Sequence, residues 1–556
     1  MGLCQSRGVS NEALIETITA GYTFEAPTAT LGVLLDGDPV PDAPIRIPLS
    51  MFNRHGLVAG ATGTGKTVTL QVLAEALSSA GVPVFAADIK GDLSGMATPA
   101  QGSEKLLARV AKQGQDWQPT AFPCEFYALG GEGVGVPVRA TVSSFGPILL
   151  SKVLGLNKVQ ESSLGLVFHY ADKAGLALLD LKDLVELLKY LISDEGKPEL
   201  KGIGGISSAT VGVILRSLVT IADQGADVFF GEPEFDPDDL LRIAPDGRGV
   251  VSLLELPQLA SRPALFSTFL MWLLADLFTS LPEVGDIDKP KLVFFFDEAH
   301  LLFNDASDAF LDAITQTVRL IRSKGVGIFF VTQTPKDVPD DVLAQLGSRV
   351  QHQLRAHTPN DAKALRATVS TYPTSGYDLE EVLQQLGIGE AIVTVMGERG
   401  APTPVAWTRI WAPESQMGPT PEEHLRAGVA LSTLTAKYGT PLDRHSAYEI
   451  LTRKLADGAA RAEEERLEAE RQEEMERLEK ELAAADKEQA RLEREARAEQ
   501  ARREKEARAE EAARRRYERE NPGLVEQVAK SSVFKDLVRT AGREIIRGVF
   551  GTGRRR

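Results

Sequence analysis

The sequence predicts an α/β fold: a mainly parallel sheet flanked by helices, with a helical insertion and a long helical C-terminal extension. Three observations predict it. The apolar runs in "VPVFAADI", "GVVSLLEL", "KLVFFFDE" and "VGIFFVTQ" lack the alternation of a half-exposed strand and suit strands covered on both faces. A glycine-rich stretch, "GLVAGATGTGKTVTL", joins a strand in "HGLVAG" to a helix expected over 66–79. Residues 455–520 are almost entirely Glu, Arg, Ala, Lys, Gln and Leu, a helix-forming composition with many Glu and Arg pairs four apart.

Residues 1–50 read as a leader with short strands, such as "TATLGVLL", and Pro-rich turns. The opening "MGLCQS" satisfies a myristoylation pattern through Gly2 and Ser6, with Cys4 beside them, but so few fixed positions are matched that acylation is not expected. Residues 51–420 carry the sheet rhythm, broken at 145–245 by helical periods in which Leu181, Leu184, Leu187, Leu188 and Leu191 share a face. The run "PALFSTFLMWLLADLF" (263–278) is short for a membrane span and contains Asp276, so a buried helix is expected. Strands in "RVQHQLRA", "EAIVTVM" and "PVAWTRIW" should extend or edge the sheet.

Residues 421–454 read as a connecting helical segment and 455–520 as a long helix. Met475, Leu478, Leu482, Ala485, Leu492 and Ala496 sketch a coiled-coil seam that Gln489 and Glu499 weaken, leaving a weak coiled coil and a solvated single helix both open. In 521–556, Phe534, Val538, Ala541, Ile545 and Val549 fall on one helical face. Docking on the protein or a neighbouring subunit is expected there, ahead of membrane contact, although Arg539, Arg543 and Arg547 would suit anionic lipid or nucleic acid.

With 556 residues the chain exceeds one compact core and suggests roughly three or four domains. Two cysteines, Cys4 and Cys124, build no disulfide framework and have no neighbours at zinc-ligand spacing, so a reducing, cytoplasmic setting is expected. A net charge of −16 argues against attraction of the whole molecule to nucleic acid, yet basic residues confined to a pore would still admit DNA.

Gly60, Ala61, Thr62, Gly63, Thr64, Gly65, Lys66, Thr67 and Val68 form the candidate nucleotide clamp. Glycines let backbone N–H groups curl around phosphates, the helix N-terminus adds partial positive charge, Lys66 reaches the β and γ phosphates, and the Thr67 hydroxyl ligates Mg²⁺. "KLVFFFDEAH" ends its apolar run in two carboxylates: Asp297 for the Mg²⁺ shell and Glu298 to orient or deprotonate the attacking water. Gln333, ending another apolar run, is a candidate γ-phosphate sensor or a turn cap. Arg319 and Arg322, with Lys324, are candidates for an arginine completing a neighbour's site, against plain surface solvation. Asp88 and Asp92 in "ADIKGDLSG" are candidates to assist Mg²⁺ or water; a plain turn at Gly91 explains the same letters.

In this order, "NRHGLVAGATGTGKT", "DIKGDLSG", "FFFDEAHLLF", "RSKGVGIFFVTQTPKDVP" and "RVQHQLRAHTPNDAKALR" resemble the HerA/FtsK class of P-loop ATPases, more closely the bacterial HerA-like proteins of the YjgR type. The resemblance spans residues 25–420 and extends to "GREIIRGVFG". It implies a RecA-like ASCE core, ATP and Mg²⁺ as cofactors, and a homo-oligomer, usually a hexameric ring, that moves DNA or protein through its pore. On that analogy Arg322 takes the trans-acting position, with Arg319 second, and Asp88 and Asp92 stand where the family has an Asp and a Glu; Asp92 shortens the second carboxylate. The substantial N-terminal β-barrel of HerA-type DNA helicases has no counterpart in the fifty residues before the clamp, so a nuclease partnership is not carried over. The expected function is that of an ATP-hydrolysing DNA translocase or helicase-like motor. The alternative is a regulatory or scaffold ATPase engaging a protein partner through its C-terminal helix.

Overall fold

The computed structural model describes residues 11–131, 133–223, 225–255, 263–303 and 308–520. The acylation pattern at Gly2 and the apolar stripe of 521–556 lie outside them. The chain divides into two units, Met1–Asp457 and Gly458–Arg556.

The strands of the first unit are β1 (Thr28–Asp36), β2 (Asp38–Pro48), β3 (Gly56–Ala59), β4 (Val84–Asp88), β5 (Cys124–Leu129), β6 (Val136–Val138), β7 (Val251–Glu255), β8 (Leu292–Phe296), β9 (Val326–Thr332), β10 (Ser348–Gln351), β11 (Glu390–Thr394) and β12 (Ala406–Ile410). They form one sheet in the order β2-β1-β12-β11-β10-β3-β9-β8-β4-β7-β5-β6. From β10 to β6 every pairing is parallel, and from β10 back to β2 every pairing is antiparallel.

The parallel half explains the continuous apolar runs. In β8, Leu292, Phe294 and Phe296 join one buried cluster with the insertion helices, while Val293 and Phe295 join another with the helices α1 (Asn11–Gly21) and α2 (Lys66–Ser79). Both faces are covered, so alternation disappears. The helix Pro263–Ser280 buries Phe269, Met271, Trp272 and Leu273 in the first cluster. No helix among the described residues is long and apolar enough to cross a membrane.

Between β6 and β7 lies the helical region, with helices Val142–Val153, Lys158–Ala174, Leu181–Ile192 and Ser208–Asp223. Leu181, Leu184, Leu187, Leu188 and Leu191 are all buried. Three features differ from the sequence reading. The leader contains a helix, Asn11–Gly21, as well as the β1–β2 hairpin; β5 and β6 extend the parallel half by two strands, with β6 at the edge; and the long helix begins at Ala447. Its first turns carry the apolar Ala447 and Leu451, both buried in the first unit's core, which the charge pattern after 455 does not reveal.

Candidate functional site

The order β3-β9-β8-β4 sets the site. One strand, β9, separates the clamp strand from the acidic strand, and all four run parallel, so the segments that follow them emerge at one edge of the sheet. Parallel sheets bind ligands at such an edge.

The clamp loop is pinned from three sides. Gly60 N–H donates to Thr332 O at 3.2 Å, Ala61 N–H to Gln353 O at 2.8 Å, and Gly389 N–H to Thr64 O at 2.9 Å. A Cβ at Gly60 would come within 2.4 Å of the His352 Cβ, so only glycine passes there. Gly65 starts α2 at φ +115, a conformation side chains resist. Thr62 and Gly63 are exposed, Ala61, Thr67 and Val68 half-buried, and Thr64 buried, its hydroxyl donating to Ala61 O at 2.7 Å. Lys66 is buried, with Nζ donating to Gly60 O at 2.7 Å. Burial lowers its pKa against the pull of Glu298 and Asp297.

Asp297 follows β8 and is almost wholly enclosed; its Oδ1 accepts the Glu298 N–H at 2.9 Å. Burial raises its carboxyl, with Lys90 and Lys66 opposing. Glu298 adopts φ +49, unusual for a side-chain-bearing residue, and Ala299 N–H holds the turn to Val331 O of β9 at 2.8 Å. One Glu298 oxygen lies 2.6 Å from Lys90 Nζ and the other 3.3 Å from His300 Nδ1. Burial works to raise the Glu298 carboxyl, but Lys90, His300 and Lys66 outweigh it and hold the group below its ordinary value.

The remaining candidates separate. Gln333 is exposed at the end of β9 and lines a cavity of about 540 Å³ together with Ala61, Asp337 and Arg355. A neighbouring cavity of about 570 Å³, walled by the segments around Leu343 and Ala367, contains none of the clamp residues. Asp88 is buried with both oxygens engaged, accepting the N–H groups of Gly91 at 2.8 Å and Leu93 at 2.7 Å; burial raises it to about 6. It braces the turn. Asp92 is half-buried just after that turn. Arg319 and Arg322 are exposed and stand before the start of β9, the end opposite Gln333. A seven-residue strand spans about 20 Å, so neither reaches the clamp of its own chain.

Three residues escaped the sequence reading. Lys90 pairs with Glu298 because Ala87 of β4 lies opposite Phe296 of β8, a register no spacing reveals. His352, buried and driven by burial to a pKa of about 4, bridges Thr69 Oγ1 and Glu390 O at 2.8 Å each, tying α2 to the antiparallel half. Asp337 accepts the Thr332 hydroxyl at 2.6 Å and the Thr334 N–H at 3.1 Å; the Thr334–Asp337 spacing is a capping-box signal legible in "TPKD".

A nucleotide and Mg²⁺ fit this donor set. Magnesium takes one or two protein ligands beside phosphate oxygens and water, a demand that Thr67 and Asp297 meet. No cluster of three or more His, Cys, Asp or Glu able to hold a metal alone occurs among the described residues.

A glycine clamp at a helix start, an acidic strand end two strands away and one parallel strand between them define a RecA-like P-loop ATPase fold. More narrowly, the chain belongs to the helicase HerA-like C-terminal family, whose model matches residues 34–556. Similar curated proteins include the DNA double-strand break repair helicase HerA of Saccharolobus solfataricus, 22% identical over 63% of this chain and 63% of that protein. Another is a probable helicase of Methanocaldococcus jannaschii, 24% identical over 62% of this chain and 64% of that protein. The chain thus spans just under two thirds of their length. Similar solved structures include the plasmid coupling protein TrwB in complex with ADP and Mg²⁺, with TM-score 0.49 and 17% identity over 74% of this chain and 94% of that one.

Proposed function

We propose that this protein is a Mg²⁺-dependent ATP hydrolase that assembles into a ring and works as a DNA translocase or helicase-like motor. One observation carries the hydrolytic reading: Lys66, Asp297 and Glu298 meet at one sheet edge, close enough for Lys66 to be influenced electrostatically by both carboxylates. Bound nucleotide would supply the phosphoanhydride and Mg²⁺ the charge neutralisation. Lys66 would hold the phosphates, Thr67 and Asp297 the metal, and Glu298 would accept the proton of the attacking water. Gln333, exposed beside Ala61, is suited to sense the terminal phosphate.

The assembly reading rests on Arg319 and Arg322 being out of reach of their own clamp, so any catalytic use of them needs a second copy. The motor reading draws on the relatives, named as helicases. The alternative, a regulatory ATPase acting through the long helix, draws support from the exposed Met475, Leu478, Leu482 and Leu492 on Ala447–Glu520. Turnover of ATP measured with and without single- and double-stranded DNA at low salt separates the two. Stimulation supports the motor, and unchanged turnover with no DNA binding by an assembled ring favours the regulatory reading.

A further inference from the structure

Lys90 lies within "ADIKGDLSG" but has none of the roles assigned above, yet its ammonium makes the shortest polar contact to Glu298. We propose that Lys90 is a positioning residue that parks Glu298 in an ion pair and withholds it from the attacking water until a bound phosphate chain draws the ammonium away. The proposal rests on the ATPase reading and adds to it a hold on basal turnover.

The geometry behind it has three parts. First, β4 and β8 are neighbours in register, so the turn after Asp88 and the turn after Asp297 leave the sheet side by side. Second, the Asp88 carboxylate holds the Lys90 turn from inside through the Gly91 and Leu93 N–H groups, which directs the lysine across the strand pair. Third, neither Glu298 oxygen is free to face water: Oε1 is held by Lys90 Nζ at 2.6 Å, and Oε2 is enclosed 3.3 Å from His300 Nδ1 without a hydrogen-bond partner. A general base needs a carboxylate oxygen free to face the water whose proton it takes. Glu298 must therefore part from Lys90 before it acts.

Lys90 is suited to the release. Its side chain is 42% exposed while that of Glu298 is 11% exposed, so the lysine is the partner with room to move. Phosphates held at Lys66 would bring negative charge to the same edge and offer the ammonium a second partner. Beyond the pair itself, Lys66, His300 and Asp297 face Glu298, and Asp92 and Asp297 face Lys90.

Steady-state ATP turnover without DNA tests this in wild type, Lys90→Met, Lys90→Arg and Glu298→Gln, with binding of a fluorescent ADP as a check on folding. Lys90→Met should raise kcat about two- to tenfold with KM and ADP affinity unchanged, and Lys90→Arg, which retains a cation, should bring kcat back toward wild type. A Lys90→Met protein that binds ADP normally with unchanged or reduced kcat overturns the proposal while leaving the ATPase reading intact, provided that wild type turns over and Glu298→Gln does not. Normal ADP binding with no turnover in wild type or Lys90→Met overturns the ATPase reading itself, and the proposal with it.

Discussion

At the scale of single residues, the chemistry turns on where a few charges are held. Lys66 folds its ammonium onto Gly60 O and Ala61 O, the loop that phosphates would contact. Lys66→Ala should therefore abolish nucleotide binding, measured by titration with a fluorescent analogue. Glu298→Gln should bind nucleotide normally and lose about 10²- to 10⁴-fold in kcat, the usual worth of a general base; equal turnover by variant and wild type would sink its assignment. A third residue acts on stability. Glu75, buried on α2, accepts the N–H groups of Glu414 at 2.9 Å and Ser415 at 3.0 Å and the Ser415 hydroxyl. Burial nevertheless raises its carboxyl from 4.5 to about 7. The folded state then holds a proton that the unfolded chain releases, so Glu75 contributes fully below pH 4.5 and loses up to about 3 kcal/mol as pH rises through 7. The stability difference between wild type and Glu75→Gln, from urea unfolding at pH 5 and pH 8, should shift in favour of the variant at the higher pH.

At the scale of elements, buried polar joints hold segments far apart in sequence. Asp183, fully buried in the helix Leu181–Ile192, accepts the Leu179 N–H at 2.7 Å and, from the start of the long helix, the Ser446 hydroxyl and the Tyr448 N–H at 2.8 Å. Asp183→Ala would strip partners from several buried donors at once, each costing about 1–3 kcal/mol. Limited proteolysis should then cut near residue 446 in the variant well before wild type. The sequence showed the helix containing Asp183 through its leucine period, but not this joint, because hydrogen bonds across some 260 residues leave no local trace.

At the scale of the whole molecule, Arg319 and Arg322 carry the argument for assembly, since each lies a strand's length from its own clamp. If Arg322 completes a neighbour's site, Arg322→Ala should keep nucleotide affinity and lose turnover by about 10³-fold or more. Mixing it with Lys66→Ala protein should restore part of the activity, because some interfaces would then pair an intact clamp with an intact arginine. A chain that stays monomeric by mass measurement with and without ATP would exclude the neighbour's arginine altogether.

The local sequence determined the clamp, the acidic strand end, the doubly covered strands and the long charged helix. Each depends on contiguous residues: a loop that needs glycine, apolar runs with both faces buried, and pairs four apart on a helix. Only the tertiary structure decided which ends meet. Strand order put β9 between clamp and acid, register set Lys90 against Glu298, and strand length moved Arg322 out of reach of its own site. These are properties of pairing between distant segments, decided by how the whole sheet buries its two faces, and no single stretch of chain encodes them.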